Sequence, residues 1–154
     1  MKLKTKKSFN NWVRVDEDPE GSVEFLLDYT DREQTLRLQS IGFGDDYSGN
    51  DKGLKYAQYF IKFTVKDWRS TNGTGKQEPY LLNEDNEKVY CKVINNELED
   101  DIWWALVEDT IQTMGIYGKI KEELDFSDAD KKKLSLQESS KETGSSGAKE
   151  ETTQ

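Results

Sequence analysis

Residues 54–68, LKYAQYFIKFTVKDW, decide how the chain folds because they carry two competing periodicities. The second half, residues 61–66, alternates apolar and polar side chains as a strand does. A strand over the whole of residues 54–68 would be unusually long, and no Gly or Pro interrupts them, so we expect a helix. Its apolar residues fall on one helical stripe: Ala57, Phe60, Ile61, Val65 and Trp68.

The residues before this helix are typical of a small antiparallel β-meander. Residues 12–15 form a short β-like run that ends at an acidic turn, and residues 23–29 form a second run with β-branched and aromatic ends. Residues 36–41 alternate in the same way and complete the meander, while residues 30–33 make a turn or cap a short helix. The Gly- and Asp-rich residues 42–53 predict a loop.

The residues after the helix predict a polar loop at 70–79 and a brief strand or extended link at 89–93. Asn95 or Asn96 then stands where an N-cap belongs, and the acidic residues that follow favour the positive end of a helix dipole. This second helix is expected to end near Gly115 or Gly118. Its apolar stripe consists of Leu98, Ile102, Trp103, Leu106, Val107, Ile111 and Met114.

The two ends of the chain differ in composition from the body. Residues 1–7 hold four Lys and predict a solvated basic arm, whereas residues 127–154 have no aromatic side chain and predict a disordered low-complexity tail. Residues 8–126 remain as a single globular domain. The predicted fold is therefore α+β: a small N-terminal meander, two main helices and a disordered C-terminal tail.

Composition excludes several classes of function. The 154 residues include 22 Lys and Arg against 31 Asp and Glu, a net charge of −9, so we expect no nucleic-acid partner and no membrane partner. There is no His, which rules out Ser-His-Asp and Cys-His catalysis, and the single Cys91 cannot form an internal disulfide. No apolar run is long enough to span a bilayer, which together with the single Cys suggests a cytoplasmic protein.

Motifs for cofactors and metals are weak. Asp45, Asp46 and Asp51 offer oxygen ligands at close spacing, but an EF-hand frame that starts at Asp46 lacks both the required Gly and the bidentate Glu. Neither G-x-G segment continues to a dinucleotide fingerprint, and no P-loop is present. We therefore expect no cofactor, no metal site and no enzymatic activity.

The adjacent pair Trp103-Trp104 is the strongest candidate for a binding feature. Neighbouring positions on a helix point about 100° apart, so one Trp is expected in the core and the other at the edge of the apolar stripe. An exposed Trp is a favoured anchor for a protein partner, although simple packing is the commoner role.

From Lys62 onward the chain resembles the small tail assembly chaperones and tail-completion proteins of long-tailed bacteriophages. The resemblance covers about residues 54–116 and rests on Val65, Asp67, Trp68 and Arg69 for "V-x-D-W-[KR]" at the end of a helix. A loop with the Asn72-Gly73 pair and the Pro79-Tyr80 step follows, and then the acidic-start helix ELEDDIWWALVEDTIQ.

The resemblance implies a non-enzymatic protein that binds tail tube or tape-measure subunits during assembly and then leaves. The alternative is an acidic mimic of nucleic acid that blocks a host DNA-binding protein, although its candidate acids, at 16–20, 45, 46, 51 and 97–101, are scattered in sequence. The oligomeric state is not predicted. The candidate partner-binding residues are Trp68, Arg69, Trp103, Trp104, Val107 and Ile111.

Overall fold

A computed structural model of the chain describes residues 1–2, 8–16, 22–43, 49–71 and 75–139. The predicted N-terminal meander is present as a three-stranded antiparallel sheet of β1 (Asn11–Asp16), β2 (Val23–Leu27) and β3 (Val65–Ser70), in that order. Val13 pairs with Phe25 and Phe25 pairs with Trp68 across the sheet. All three side chains are buried, so this row forms the inner face of the sheet.

The third strand is not the one expected. Residues 36–41 lie in a helix, α1 (Arg32–Phe43), and a second helix, α2 (Gly49–Thr64), follows before the chain returns to the sheet as β3. A reciprocal pair of hydrogen bonds starts α1: Asp31 Oδ1 accepts the Gln34 backbone N–H at 2.8 Å, and Gln34 Oε1 accepts that of Asp31 at 3.0 Å. Gln34 and Leu38, one turn apart, are both buried. The capping alternative for residues 30–33 is therefore correct.

The helical and the strand periodicity of residues 54–68 are both present in the structure, each in its own part of the segment. α2 ends at Thr64, whose hydroxyl donates to the Phe60 carbonyl at 2.7 Å, and β3 begins at the next residue. The Asp28 backbone N–H donates to the Thr64 carbonyl at 3.0 Å, so pairing with the end of β2 takes over where the helix stops. The helix predicted through Trp68 is thus four residues too long. The loop predicted at 42–53 is also too long, since residues 49–53 belong to α2. Residues 44–48 lie outside the described residues.

Two small hairpins follow: β4 (Tyr80–Leu82) pairs with β5 (Lys88–Tyr90), and β6 (Val93–Ile94) pairs with β7 (Glu97–Leu98). Asn95 and Asn96 join β6 to β7 with φ values of 53° and 66°. Two consecutive left-handed residues make the hairpin turn that Asn adopts readily. Neither Asn is the helix cap that was expected. Glu99 takes that place, and its carboxylate accepts the Asp101 backbone N–H at 2.8 Å.

The last predicted helix is two helices, α3 (Asp100–Val107) and α4 (Thr110–Ser139). Glu108 and Asp109 separate them, and Asp109 caps α4, because its Oδ1 accepts the Gln112 backbone N–H at 2.9 Å. Gly115 and Gly118 lie inside α4 and do not end it. Residues 127–139, expected to belong to the disordered tail, are helical, and seven of these thirteen residues are the helix formers Lys, Leu, Ala or Glu. Residues 140–154, like 3–7 of the basic arm, lie outside the described residues.

The chain divides into two compact units, residues 1–121 and residues 122–154. The first holds the sheet, the hairpins, α1 to α3 and the start of α4; the described part of the second is the remainder of α4. The fully buried apolar side chains of the first unit include Leu27, Ala57, Ile61, Phe63, Val65, Val107 and Ile120. None of the helices in the described ranges is both long and apolar enough to cross a membrane.

Candidate protein-binding surface

Trp103 lies against α2. Its indole N–H donates to the Gln58 carbonyl at 2.8 Å, and its ring centre is 5.0 Å from that of Tyr59. The Lys62 ammonium lies 4.3 Å from the centre of the Trp103 ring, a cation–π distance. These contacts account for the side chain of Trp103, which is part of the packing between α2 and α3.

Trp104, one position further along α3, points outward. Its side chain is 50% exposed, although its ring centre is 6.2 Å from that of Trp103, with the two planes at 66°. The outward position of Trp104 agrees with the sequence expectation, whereas Trp103, expected in the core, is only partly buried. Because Trp103 is held by α2 and contacts Trp104 on one side, the exposed indole is supported without being covered.

Two more apolar side chains are exposed at the start of α4. Ile111 is 85% exposed and Met114 is 42% exposed. The sequence placed Ile111 among the candidate binding residues, but it assigned Met114 only to the apolar stripe of a continuous helix. The break after Val107 divides that stripe between two helices, which a pattern of spacings cannot reveal. Trp104, Ile111 and Met114 are called the α3–α4 apolar residues below.

Val107 is a core residue. It is fully buried, and its carbonyl accepts bonds from Thr113 Oγ1 at 2.8 Å and from Gln58 Nε2 at 3.2 Å. These bonds satisfy a carbonyl that the end of α3 leaves without a helical partner. Val107 therefore joins α2, α3 and α4, and it offers no side chain to a partner.

Trp68 and Arg69 lie in β3 rather than at the end of a helix. Trp68 is 2% exposed, and its indole N–H donates to the Val89 carbonyl at 2.9 Å. Arg69 lies on the opposite face of the sheet, where its Nε donates to Glu24 Oε1 at 2.6 Å and its guanidinium carbon is 4.0 Å from the centre of the Trp12 ring. Both side chains have structural partners within the domain, and the motif VKDWR is part of the sheet.

Acidic side chains that are apart in sequence meet beside α1 and the start of α3. A depression with a volume of about 850 Å³ is lined by Glu33, Glu97, Glu99, Asp100 and Asp101 together with Arg37. Arg37 Nη1 is 2.7 Å from Glu97 Oε2. The hydrogen bond and positive charge of Lys62 lower the pKa of Asp100 below its ordinary value. The acids at 17–20, 45 and 46 lie outside the described residues.

Groups that could support catalysis or metal binding are few. Among the described residues, no cluster of three or more Asp, Glu or Cys side chains is arranged to hold a metal ion. Asp51 of the acidic loop lies in α2, whereas Asp45 and Asp46 fall within residues 44–48, which are not described. Burial, and then the nearby charge of Asp67, raise the pKa of the Cys91 thiol to about 12, so the nucleophilic thiolate is rare at neutral pH.

Comparison with known proteins adds no relative: no family model matches the chain, and no curated protein and no solved structure matches it.

Proposed function

We propose that this protein is a non-enzymatic assembly factor that binds a protein partner through the α3–α4 apolar residues. The observation that supports this most directly is Trp104, which is half exposed although its neighbour Trp103 is bonded to α2. A large aromatic side chain held at the surface by a packed neighbour is the usual form of a binding hot spot. Ile111 and Met114, which follow the junction of α3 and α4 in sequence, add exposed apolar area.

We further propose that the partner is a tail tube or tape-measure subunit of a long-tailed bacteriophage, bound in the host cytoplasm before the tail assembles. The support is the resemblance in sequence of residues 54–116 to tail assembly chaperones; in this chain the VKDWR motif lies in β3 instead of at the end of a helix. In that role the chain covers apolar surface of a subunit that would otherwise aggregate, and the net charge of −9 keeps the complex dissolved.

The test is co-expression of the chain with the tail tube and tape-measure proteins encoded in neighbouring reading frames. Trp104→Ala should weaken binding of the subunit by about 2 kcal/mol or more, measured by calorimetry on the purified pair. Leu36→Ala is the matched control, because Leu36 is 54% exposed on α1. Equal binding by wild type, Trp104→Ala and Ile111→Ala would overturn the proposed surface, and failure of both subunits to bind would overturn the proposed partner.

A second candidate function, the acidic mimic of nucleic acid, is favoured by the depression that Glu33 shares with Glu97, Glu99, Asp100 and Asp101. Arg37 and Lys62 already neutralise part of this charge, which makes it the weaker proposal. The test is displacement of a DNA duplex from a bacterial nucleoid protein at low and high salt. Displacement that is lost in Glu33→Gln/Glu99→Gln/Asp101→Asn would support the mimic, and no displacement at low salt would exclude it.

A further inference from the structure

A groove runs between the β4–β5 hairpin and the junction of α3 with α4. It consists of three adjoining depressions that share Leu82 and Gln112 in their walls. The first, of about 560 Å³, lies against the sheet, and the second, of about 140 Å³, lies over Trp68. The third, of about 710 Å³, opens beside the turn after β4. All the lining residues belong to the unit of residues 1–121.

Both of the first two depressions contain apolar side chains, and the first is also lined by the polar Asp16, Ser70 and Gln112. Phe25 and Trp68 reach them from the sheet, Leu81 from β4, Leu106 from α3 and Ile116 from α4. Leu82, at the shared wall, is 42% exposed. Phe25 and Trp68 are themselves almost fully buried, so Leu82 is the apolar side chain that the groove exposes most to a bound segment.

The third depression is acidic. Glu84 and Asp85 line it from the β4–β5 turn, and Glu108 and Asp109 line it from the break between α3 and α4. The carboxyl end of α3 and the amino end of α4 meet at this break, so their partial charges oppose each other and the carboxylates set the sign of the charge here. Asp16 stands at the other end of the groove, and no Lys or Arg is found among the described residues that line any of the three depressions.

We propose that this groove binds a segment of the protein partner in which apolar residues are followed by Lys or Arg. The apolar side chains occupy the depressions over Phe25 and Trp68, and the basic side chains lie against Glu84, Asp85 and Glu108. The charge of the lining selects this occupant over an acidic or a purely apolar segment. The inference deepens the proposed function and rests on it, because it specifies the chemistry of the partner that the assembly factor binds.

Gly115 provides a variant that closes the groove without disturbing the fold. It lines the first depression from α4, and a Cβ built on it meets nothing within 4 Å. Leu is a strong helix former, so Gly115→Leu fills the groove and favours the helix. Gly118 is the matched control: it lies one turn further along α4, its Cβ also meets nothing within 4 Å, and it does not line the groove.

The experiment measures fluorescence anisotropy of a labelled peptide, Gly-Leu-Phe-Leu-Gly-Lys-Lys-Lys, with the full chain. We expect binding to wild type and to Gly118→Leu within about twofold of each other, and binding to Gly115→Leu weaker by about tenfold or more. Glu84→Gln/Glu108→Gln should weaken binding about tenfold at low salt and less at high salt, whereas the control pair Glu122→Gln/Glu123→Gln, which lines none of the depressions, should not. A counterpart peptide with Glu in place of Lys should bind at least tenfold more weakly.

Equal affinity of Gly115→Leu and Gly118→Leu, no binding at millimolar protein, or equal binding of the Glu peptide would each overturn the proposal. An unlabelled peptide of residues 1–8 of this chain, MKLKTKKS, provides a further test. If it displaced the labelled peptide at a lower concentration than the unlabelled form of that peptide does, the basic arm would be the occupant and the proposal would be overturned. If Trp104→Ala no longer bound the tail subunit while Gly115→Leu still bound it, the groove would be overturned as a binding site and the proposed function would stand. Loss in Gly115→Leu alone would support the groove and remove Trp104 from the binding surface.

Discussion

Lys62 and Asp100 form an ion pair between a buried ammonium group and an exposed carboxylate. The Lys62 side chain is 4% exposed and that of Asp100 is 89% exposed, yet Nζ and Oδ1 are 2.5 Å apart. Glu97 Oε1 is 3.9 Å from the same Nζ. The pair connects α2 to the first turn of α3, directly beside the ring of Trp103. The pair therefore joins α2 to the helix that carries Trp103 and Trp104.

Replacing Asp100 and replacing Lys62 should lower the stability of the fold by different amounts. Asp100→Ala leaves the Lys62 charge buried and should lower the midpoint of urea unfolding clearly. Lys62→Met replaces the charge with an apolar chain of similar length and should stay within about 1 kcal/mol of wild type. In Lys62→Met/Asp100→Ala the second change should add little. If Asp100→Ala lowers the free energy of unfolding by the same amount in wild type and in Lys62→Met, the two residues do not interact.

The same pair predicts a dependence of stability on pH. The pKa of Asp100 is lowered in the folded state, so the pair contributes fully above the unfolded value and is lost as pH falls through the lower folded value. The difference in unfolding midpoint between wild type and Asp100→Asn should be constant above about pH 5 and should narrow below about pH 4. A difference that persists at pH 2 would contradict this assignment.

Truncation of Trp68 should destabilise the fold much more than truncation of Trp104. Trp68 is 2% exposed and hydrogen-bonded to Val89, so Trp68→Ala should cost about 3–5 kcal/mol of unfolding free energy. Trp104 is half exposed, so Trp104→Ala should cost no more than about 1 kcal/mol. Chemical denaturation followed by far-UV circular dichroism measures both. Similar costs for the two would mean that Trp104 is a packing residue.

Cys91 should react slowly with thiol reagents. Since burial raises its pKa to about 12, the thiolate fraction at pH 8 is very small. We expect alkylation by iodoacetamide about a hundredfold or more slower than for an unfolded thiol, even after allowing for the greater nucleophilicity of a high-pKa thiolate. The protein unfolded in urea is the control. Equal rates in the folded and unfolded states would show that the thiol is accessible and ionises normally.

Gly118 should tolerate Ala and gain stability. It lies in the interior of α4 with open space around its missing Cβ. Gly118→Ala should raise the unfolding free energy by about 0.5–1 kcal/mol, because Ala loses less backbone entropy than Gly in a helix. A loss of stability in thermal or urea unfolding would show that this position requires Gly.

Part of the proposed binding surface could be predicted from local pattern, and part could not. The neighbouring positions of Trp103 and Trp104 predict that one faces inward, because the helical rotation between them does not depend on the rest of the fold. The roles of Trp68 and Val107 depend on what packs against them: β5 supplies the acceptor for Trp68, and α2 and α4 supply the donors to Val107. No spacing within β3 or α3 carries that information.

The sequence by itself determined the first two strands, the helical stripe that precedes Thr64, the acidic character of the domain and the absence of His chemistry. These follow from composition and from periodicities that span a few residues. Only the tertiary structure decided where α2 becomes β3, because the end of β2 supplies the donor to Thr64 from 36 positions earlier in the chain. It likewise decided that Asn95 and Asn96 form a turn, since Asn96 contacts Asp31, Gln34 and Lys66, which are distant in sequence. Where the sequence left alternatives open, hydrogen bonds between distant segments, rather than local propensity, determine which local structure forms.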